Sequence, residues 1–257
     1  MMRKKPMLAY PVSDKPIDYN NKISIQPKLD GVRCLIQYDT APRNRIKAYS
    51  RTGKEWLNIN HILEELKPFF AKHPNVILDG ELYNHDLKDD FEKIISLVRK
   101  TKPTAENRVE SAEMVQFHCY DIVDETKTFE ERINFIKNKF CDIKNIIEVQ
   151  TLTNVDSNDQ AKIFHTHYLN QGYEGSILRT NDNYKCGRSW NLRKFKDFHD
   201  DEAVLTDWVE GKGKRIGTIG KFMAIDAEGN EFGMPVMDNF KYLQDNFEMM
   251  KGYVGKT

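Results

Sequence analysis

The stretch Gln26-Pro27-Lys28-Leu29-Asp30-Gly31-Val32-Arg33 brings an amine, a carboxylate and a guanidinium within a few residues of one another. Lys28 stands at the end of one predicted strand, and a tight Asp-Gly turn leads into the next. Such a turn fixes all three groups on one wall. A surface hairpin with ordinary charges is the competing reading, and the motif alone does not separate the two. Lys194 and Lys196 stand two residues apart, so a strand would point both to one side. That geometry suits clamping one phosphate; in isolation a solvated strand edge is the better reading.

The elements that must hold these groups follow from periodicity. Lys22–Lys28 alternates polar and apolar residues, Val32–Tyr38 is β-rich until Pro42, and Arg45–Ser50 fits a returning strand. Ile59, Ile62, Leu63, Leu66, Phe69 and Phe70 fall at helical spacing, with Pro68 placed to end that helix early. Val76–Leu82 is a short apolar strand interrupted by Asp79-Gly80-Glu81. Further helices are predicted over Asp90–Lys100, Thr128–Phe140 and, from a Ser157 cap, to Asn170. Met114–Val123, Val149–Leu152, Gly175–Arg179 and Leu192–Phe198 read as strands, and the first twenty-odd residues as an extended lead-in.

After His199-Asp200-Asp201 the texture changes to short strands, Ala203–Trp208, Thr218–Ala224 and Glu231–Met234, with a turn at Ala227–Asn230. A helix over Asp238–Met250 follows. The expectation is an α+β domain over 1–199 and a small barrel-like β module over 200–257.

Composition narrows the function. The chain has 257 residues, one to two domains at ~150 residues each, and needs no disulfide or metal staple. Its 39 Lys and Arg balance 39 Asp and Glu, which excludes a basic coat over the whole surface but not a local basic face. No apolar run is long enough to span a bilayer, and no signal peptide is visible. Four widely spaced cysteines without a CxxC pair suggest a reduced, intracellular, cytoplasmic protein. Gly211–Gly217 reads GxGxxxG without a βαβ setting, and Gly252–Thr257 lacks the first glycine of a phosphate loop, so both are set aside. His165 and His167, two apart, cannot share a helix face as metal ligands.

The lysine motif resembles the nucleotidyl-transfer motif of ATP-dependent DNA ligases and mRNA capping enzymes, and other motifs of that superfamily follow in order. Ser50-Arg51-Thr52-Gly53, Leu78-Asp79-Gly80-Glu81-Leu82 and Phe117-His118-Cys119-Tyr120-Asp121-Ile122 resemble the next three. Glu174-Gly175-Ser176-Ile177-Leu178-Arg179 is similar to the EGxxxR motif. Tyr184-Lys185-Cys186-Gly187-Arg188-Ser189 and Leu192–Lys196 are similar to the GRS and KxK elements. The size resembles minimal phage and viral DNA ligases.

The resemblance implies a nucleotidyltransferase (adenylation) domain of mixed and antiparallel sheets with flanking helices, followed by an OB-like barrel. It implies Lys28 as the nucleophile that takes AMP from ATP, releasing pyrophosphate. Attack needs a neutral amine, and an ordinary lysine, at a pKa of ~10.4, is neutral about once in a few thousand at pH 7, a cost of roughly 4–5 kcal/mol. Lys194, Lys196 and a bound metal would ease that cost. Gln26, Arg33, Glu81, Tyr120, Lys194 and Lys196 are implied around the nucleotide, with Tyr120 stacking on adenine. Glu81 and Glu174 are implied as ribose and divalent-cation contacts, hard oxygen donors that suit Mg²⁺ or Mn²⁺. Arg33, Arg51, Arg188 and Ser189 are implied at the DNA ends, because Arg gives bidentate, permanently charged phosphate contacts. For Arg179 a structural ion pair is an equal alternative.

Lys212, Lys214, Arg215 and Lys221, with Arg43, Arg45, Lys47 and Lys54, are the candidates to grip duplex backbone as two domains close into a clamp. The implied partner is nicked duplex DNA, bound by a monomer. An RNA ligase or capping enzyme, and a catalytically impaired nick binder, are the rival readings. No segment like the last ligase motif follows Asp238–Met250. A truncated or unusually short ligase, weak in self-adenylation but better at sealing a pre-adenylated nick, is therefore expected.

Overall fold

The chain was analysed as a computed structural model, which describes residues 4–39, 45–196 and 202–256. Two compact units emerge, residues 1–197 and 198–257. The predicted boundary at 199/200 itself lies outside the described residues, as does Arg43.

The first unit opens with β1 (Met7–Pro11), β2 (Ile23–Lys28), β3 (Val32–Asp39) and β4 (Arg45–Tyr49). Helices α1 (Asn60–Glu65) and α2 (Lys67–Lys72) precede β5 (Ile77–Tyr83), α3 (Phe91–Val98), α4 (Ala105–Met114), β6 (Gln116–Ile122) and α5 (Phe129–Ile136). Then come β7 (Ile146–Glu148), β8 (Leu152–Val155), α6 (Asn158–Asn170), β9 (Gly175–Thr180) and β10 (Gly187–Phe195). The strands form two five-stranded sheets, β1-β10-β9-β2-β8 and β4-β3-β5-β6-β7. The second packs its apolar face on α1 to α5, around Ile36, Phe70, Leu78 and Phe117. The first packs Ile23, Ile25 and Leu178 against Ala161 and Tyr168 of α6.

Most predicted elements are present, with instructive differences. Pro68 divides the predicted helix into α1 and α2 by sitting in the first turn of α2, where its missing N–H costs nothing. Thr128 and Ser157 cap α5 and α6 as their positions suggest. The lead-in contains β1, which pairs in parallel with β10. Helix α4 has no apolar stripe to betray it; a capping box between Thr104 and Asn107 starts it. The strand expected at Val149–Leu152 is instead two, β7 ending just before that segment and β8 beginning at its last residue, Leu152.

The Asp30-Gly31 turn is not the bend of a hairpin. Strand β2 pairs with β8 and β9, whereas β3 pairs with β4 and β5. The turn therefore carries the chain from one sheet to the other, immediately after Lys28.

Buried charges tie the two sheets together. Asp121 on β6, with no exposed surface, accepts from Arg132 Nε of α5 at 2.7 Å and from Arg179 Nη1 of β9 at 2.8 Å. Arg179 Nε also donates to Gln26 Oε1 on β2 at 2.7 Å.

The second unit contains β11 (Ala203–Glu210), β12 (Ile219–Asp226), β13 (Glu231–Pro235), α7 (Phe240–Asp245) and α8 (Phe247–Lys251). The strands form an open antiparallel meander in the order β11-β12-β13; among the described residues it does not close into the expected barrel. Asp226 Oδ1 accepts from Asn230 N at 2.8 Å and holds the predicted turn. Ile219, Phe222, Leu243 and Met250 are its core.

Asp121→Ala leaves two buried guanidiniums uncompensated. Urea unfolding should show a loss of about 3–5 kcal/mol.

Candidate active site

A cleft of about 290 Å³ lies between the two sheets of the first unit. Leu8 and Ala9 of β1, Gln26 and Lys28 of β2, and Arg188 and Lys194 of β10 line it from one sheet, with Arg179 of β9. Arg33, Glu81 and Tyr120 line it from the other, and Arg51 closes one side. A larger groove of about 1080 Å³ beside α1 and α2 contains none of the motif residues.

Strand register sets the central pair. Lys28 lies opposite Gly175 in the β2–β9 ladder, and Glu174 N donates to Lys28 O at 3.2 Å. The Glu174 carboxylate thereby meets the Lys28 ammonium directly, and Lys196 Nζ reaches its other oxygen at 3.3 Å. Burial opposes ionisation of Glu174, but Lys28 and then Lys196 overcome it and hold the carboxyl below its usual range.

On the facing wall Arg33 lies opposite Glu81 across β3 and β5. A side chain at Gly31 would collide with Glu81, its Cβ lying 2.6 Å from Glu81 Cγ and from Leu82 O. Glycine at that turn is therefore what admits the Glu81 carboxylate to the cleft. Glu81 accepts from Tyr120 OH at 3.0 Å. Burial, offset only in part by Arg33 and the Tyr120 hydrogen bond, pushes the Glu81 carboxyl up to about 7.

Tyr120 reaches the cleft through a β-bulge. Asp79 pairs with Asp121 and Gly80 with Cys119, so Tyr120 is the extra residue on β6. Phe117 and Cys119 face the apolar core, Tyr120 faces the cleft, and Ile122 returns to the core. The Tyr120 ring has the Arg33 and Arg179 guanidiniums 5.1 and 5.4 Å from its centre.

The cations divide into two groups. Arg33 donates through Nε and Nη2 to Asp79 at 2.6 Å each, so the residue expected at a DNA end has both nitrogens on a buried carboxylate. Tyr184 OH donates to the same Asp79 at 2.7 Å. Arg179 takes the structural alternative with Asp121. By contrast Arg51, Arg188 and Lys194 have no carboxylate partner among the described residues, and Arg51 and Arg188 are exposed. Ser189 is buried and accepts from Asn191 N at 3.1 Å. His165 is buried too, stacking on Phe195 with ring centres 3.9 Å apart.

Outside the cleft, Arg45 and Lys47 pair with Glu55. In the second unit Lys212, Lys214 and Arg215 are exposed at a single helical turn over Gly213–Arg215.

Asp79, Asp121, Arg132 and Tyr184 had no site role in the sequence reading. The available signal was an acid inside an apolar strand, which is seldom buried unless paired.

No three His, Cys, Asp or Glu side chains gather as a metal cage among the described residues. Mg²⁺ is ordinarily held by one or two carboxylates together with substrate phosphates; Glu81, which lines the cleft, and Glu174, which meets Lys28 beside it, fit that mode.

A family model, ATP dependent DNA ligase domain, matches residues 6–196. The chain belongs to the ATP-dependent DNA ligase family. The DNA ligase of African swine fever virus (isolate Pig/Kenya/KEN-50/1950) is 31% identical over 208 residues, covering 76% of this chain and 46% of the viral protein. The DNA ligase of Enterobacteria phage T6 is 27% identical over 237 residues, with coverages of 76% and 48%. The chain thus spans about half the length of the curated relatives it matches. A solved Lig E DNA ligase, described as binding DNA with a minimal scaffold, is similar in fold at a TM-score of 0.74 and 22% identity. That likeness covers 95% of this chain and 88% of the other. The first unit has the mixed α+β nucleotidyltransferase fold of ligases, and no described helix is long and apolar enough to cross a membrane.

The Glu81 shift has a defined sign. Between the ordinary value of 4.5 and about 7 the folded protein keeps a proton that the unfolded chain has lost. Stability contributed by this group therefore falls as pH rises through that window. Glu81→Gln should remove the fall. Urea titrations near pH 5 and near pH 7.5 should show wild type losing on the order of 2 kcal/mol more than the variant.

Proposed function

We propose that this protein is an ATP-dependent DNA ligase that seals nicks in duplex DNA through a lysyl-AMP intermediate. The observation that carries the reading is Lys28 at the floor of a cleft whose unpaired cations, Arg51, Arg188 and Lys194, come from separate elements. Family membership supplies the reaction class.

In the first step Lys28 gives its ammonium proton to water, the Nζ lone pair forms a bond to the α-phosphorus of ATP as the bond to pyrophosphate breaks, and the second Nζ proton passes to water. The ion pair with Glu174 must open before that attack, since it occupies the nitrogen. Lys194 offers positive charge to the phosphate oxygens, where preorganised charge lowers the barrier. Tyr120 presents its ring to the adenine, and Gln26 and Glu81 face the nucleoside. Glu174 and Glu81 would hold Mg²⁺ or Mn²⁺, which when bound adds charge neutralisation at the α-phosphate.

In the second step an oxygen of the nick 5′-phosphate attacks the same phosphorus, and the bond to Lys28 breaks, returning the amine. In the third step the 3′-hydroxyl attacks the 5′-phosphorus and AMP leaves. Arg51 and Arg188 bind the 5′-phosphate, and Arg33 stays on Asp79 as a wall of the cleft until the DNA end arrives. The second unit grips DNA backbone through Lys212, Lys214 and Arg215. The protein works as a monomer, and its four free thiols fit a reducing intracellular setting.

Incubation with α-labelled ATP and Mg²⁺, followed by a denaturing gel, tests the reading. Wild type should carry label and Lys28→Ala none. A pre-adenylated nick should still be sealed by wild type, and the absence of both signals refutes the proposal. Arg51→Ala should lower nick sealing by about 10- to 100-fold, the loss of one charge-assisted phosphate contact, while leaving labelling by ATP intact.

A further inference from the structure

Arg188 is exposed on the rim of the cleft, yet it is not loosely placed. Its Nη1 donates to Ala9 O at 2.9 Å, and its guanidinium lies 5.4 Å from the centre of the Tyr10 ring. Tyr10 stacks on Trp190 with ring centres 3.8 Å apart and planes 11° from parallel. Arg193 then lies 5.0 Å from the centre of the Trp190 ring. Arg193 is itself buried and fixed, donating to Pro11 O and Val12 O at 2.9 and 3.1 Å and to Lys15 O. The result is a four-membered ladder of guanidinium, phenol, indole and guanidinium, anchored at one end and free at the cleft.

A break in strand register makes the ladder. Ala9 pairs with Ser189, but the next residue, Tyr10, pairs with Arg193. Trp190, Asn191 and Leu192 therefore have no partner on β1. In an unbroken strand Arg188, Trp190, Leu192 and Lys194 would share one face. The bulge leaves Arg188, Leu192 and Lys194 lining the cleft and takes Trp190 out to meet Tyr10.

We propose that Tyr10, backed by Trp190, is a positioning residue that holds Arg188 ready for the nick 5′-phosphate. This rests on the ligase reading. An arginine side chain has many rotamers to lose on binding a phosphate. The Tyr10 face and the Ala9 carbonyl remove that loss beforehand, and among the described residues no carboxylate competes for the charge. Neither Tyr10 nor Trp190 touches the reacting atoms.

Binding of the full chain to nicked duplexes bearing either a 5′-phosphate or a 5′-hydroxyl tests the inference. Tyr10→Leu keeps the apolar volume and removes the ring; Tyr10→Phe keeps the ring and removes the hydroxyl. Wild type and Tyr10→Phe should prefer the 5′-phosphate nick, and Tyr10→Leu should lose about three- to tenfold of that preference. Labelling by ATP should be unchanged in Tyr10→Leu. Arg188→Ala should lose the preference as well, and adding Tyr10→Leu to it should cost nothing more, because the two act as one unit. Trp190→Ala should weaken the preference in the same direction. A Tyr10→Leu protein with the wild-type preference, or effects that add in the double variant, overturns the inference and leaves the ligase reading standing. A wild type that does not distinguish the two nicks overturns both.

Discussion

Two carboxylates without exposed surface, Asp79 and Asp121, decide which arginines of this cleft remain available for chemistry. Each sits on a strand of the second sheet and must be paired, because an isolated buried carboxylate is prohibitively costly. Asp79 takes both ends of Arg33, and Asp121 takes Arg132 and Arg179. Once those guanidiniums are assigned, only the cations without acidic partners can accept an incoming phosphate at no cost in broken pairs. The Arg179–Asp121 bond also joins the two sheets, together with hydrogen bonds from Gln26 Nε2 to Tyr120 O and from Arg33 Nη2 to Met7 O, so the same charges that shape the cleft wall hold the unit together.

Two irregularities in strand register do the aiming. At Tyr120 one extra residue flips the period, which brings an aromatic ring into the cleft without exposing Ile122. At Trp190 three unpaired residues move a large side chain off the cleft face. A strictly alternating strand could not present Arg188 and Lys194 while excluding the indole between them. Both bulges lie beside the candidate site, where such features re-aim side chains.

Much of this was legible in the sequence. Lys28, Glu81, Tyr120 and Lys194 line one cleft because the ordered motifs fall on strands of two sheets that face each other, and Glu174 joins them through Lys28. The helix at Ile59–Phe70 and its break at Pro68 were readable from spacing and from the missing N–H of proline. What escaped was whatever depends on pairing between distant strands. Residue types say that Lys28 precedes a turn, but not that the turn leads to a different sheet. They say that Arg33 is a cation near the nucleophile, but not that Asp79, far along the chain, already holds it. Helix α4 escaped because its stability comes from caps and from Asn58 and Ser111 side chains rather than from an apolar stripe.

The charge balance reconciles a neutral chain with a proposed polyanionic substrate. Over the whole sequence 39 basic residues offset 39 acidic ones, so no long-range field draws DNA to the molecule at large. Within the cleft the balance fails locally. Glu174 meets both Lys28 and Lys196, and Asp30 acts on the same two lysines. Burial leaves Glu81 close to half-protonated at neutral pH. Arg51, Arg188 and Lys194 add charge that no carboxylate offsets among the described residues. Arg51 and Arg188 are exposed, so this surplus acts on a phosphate only at short range.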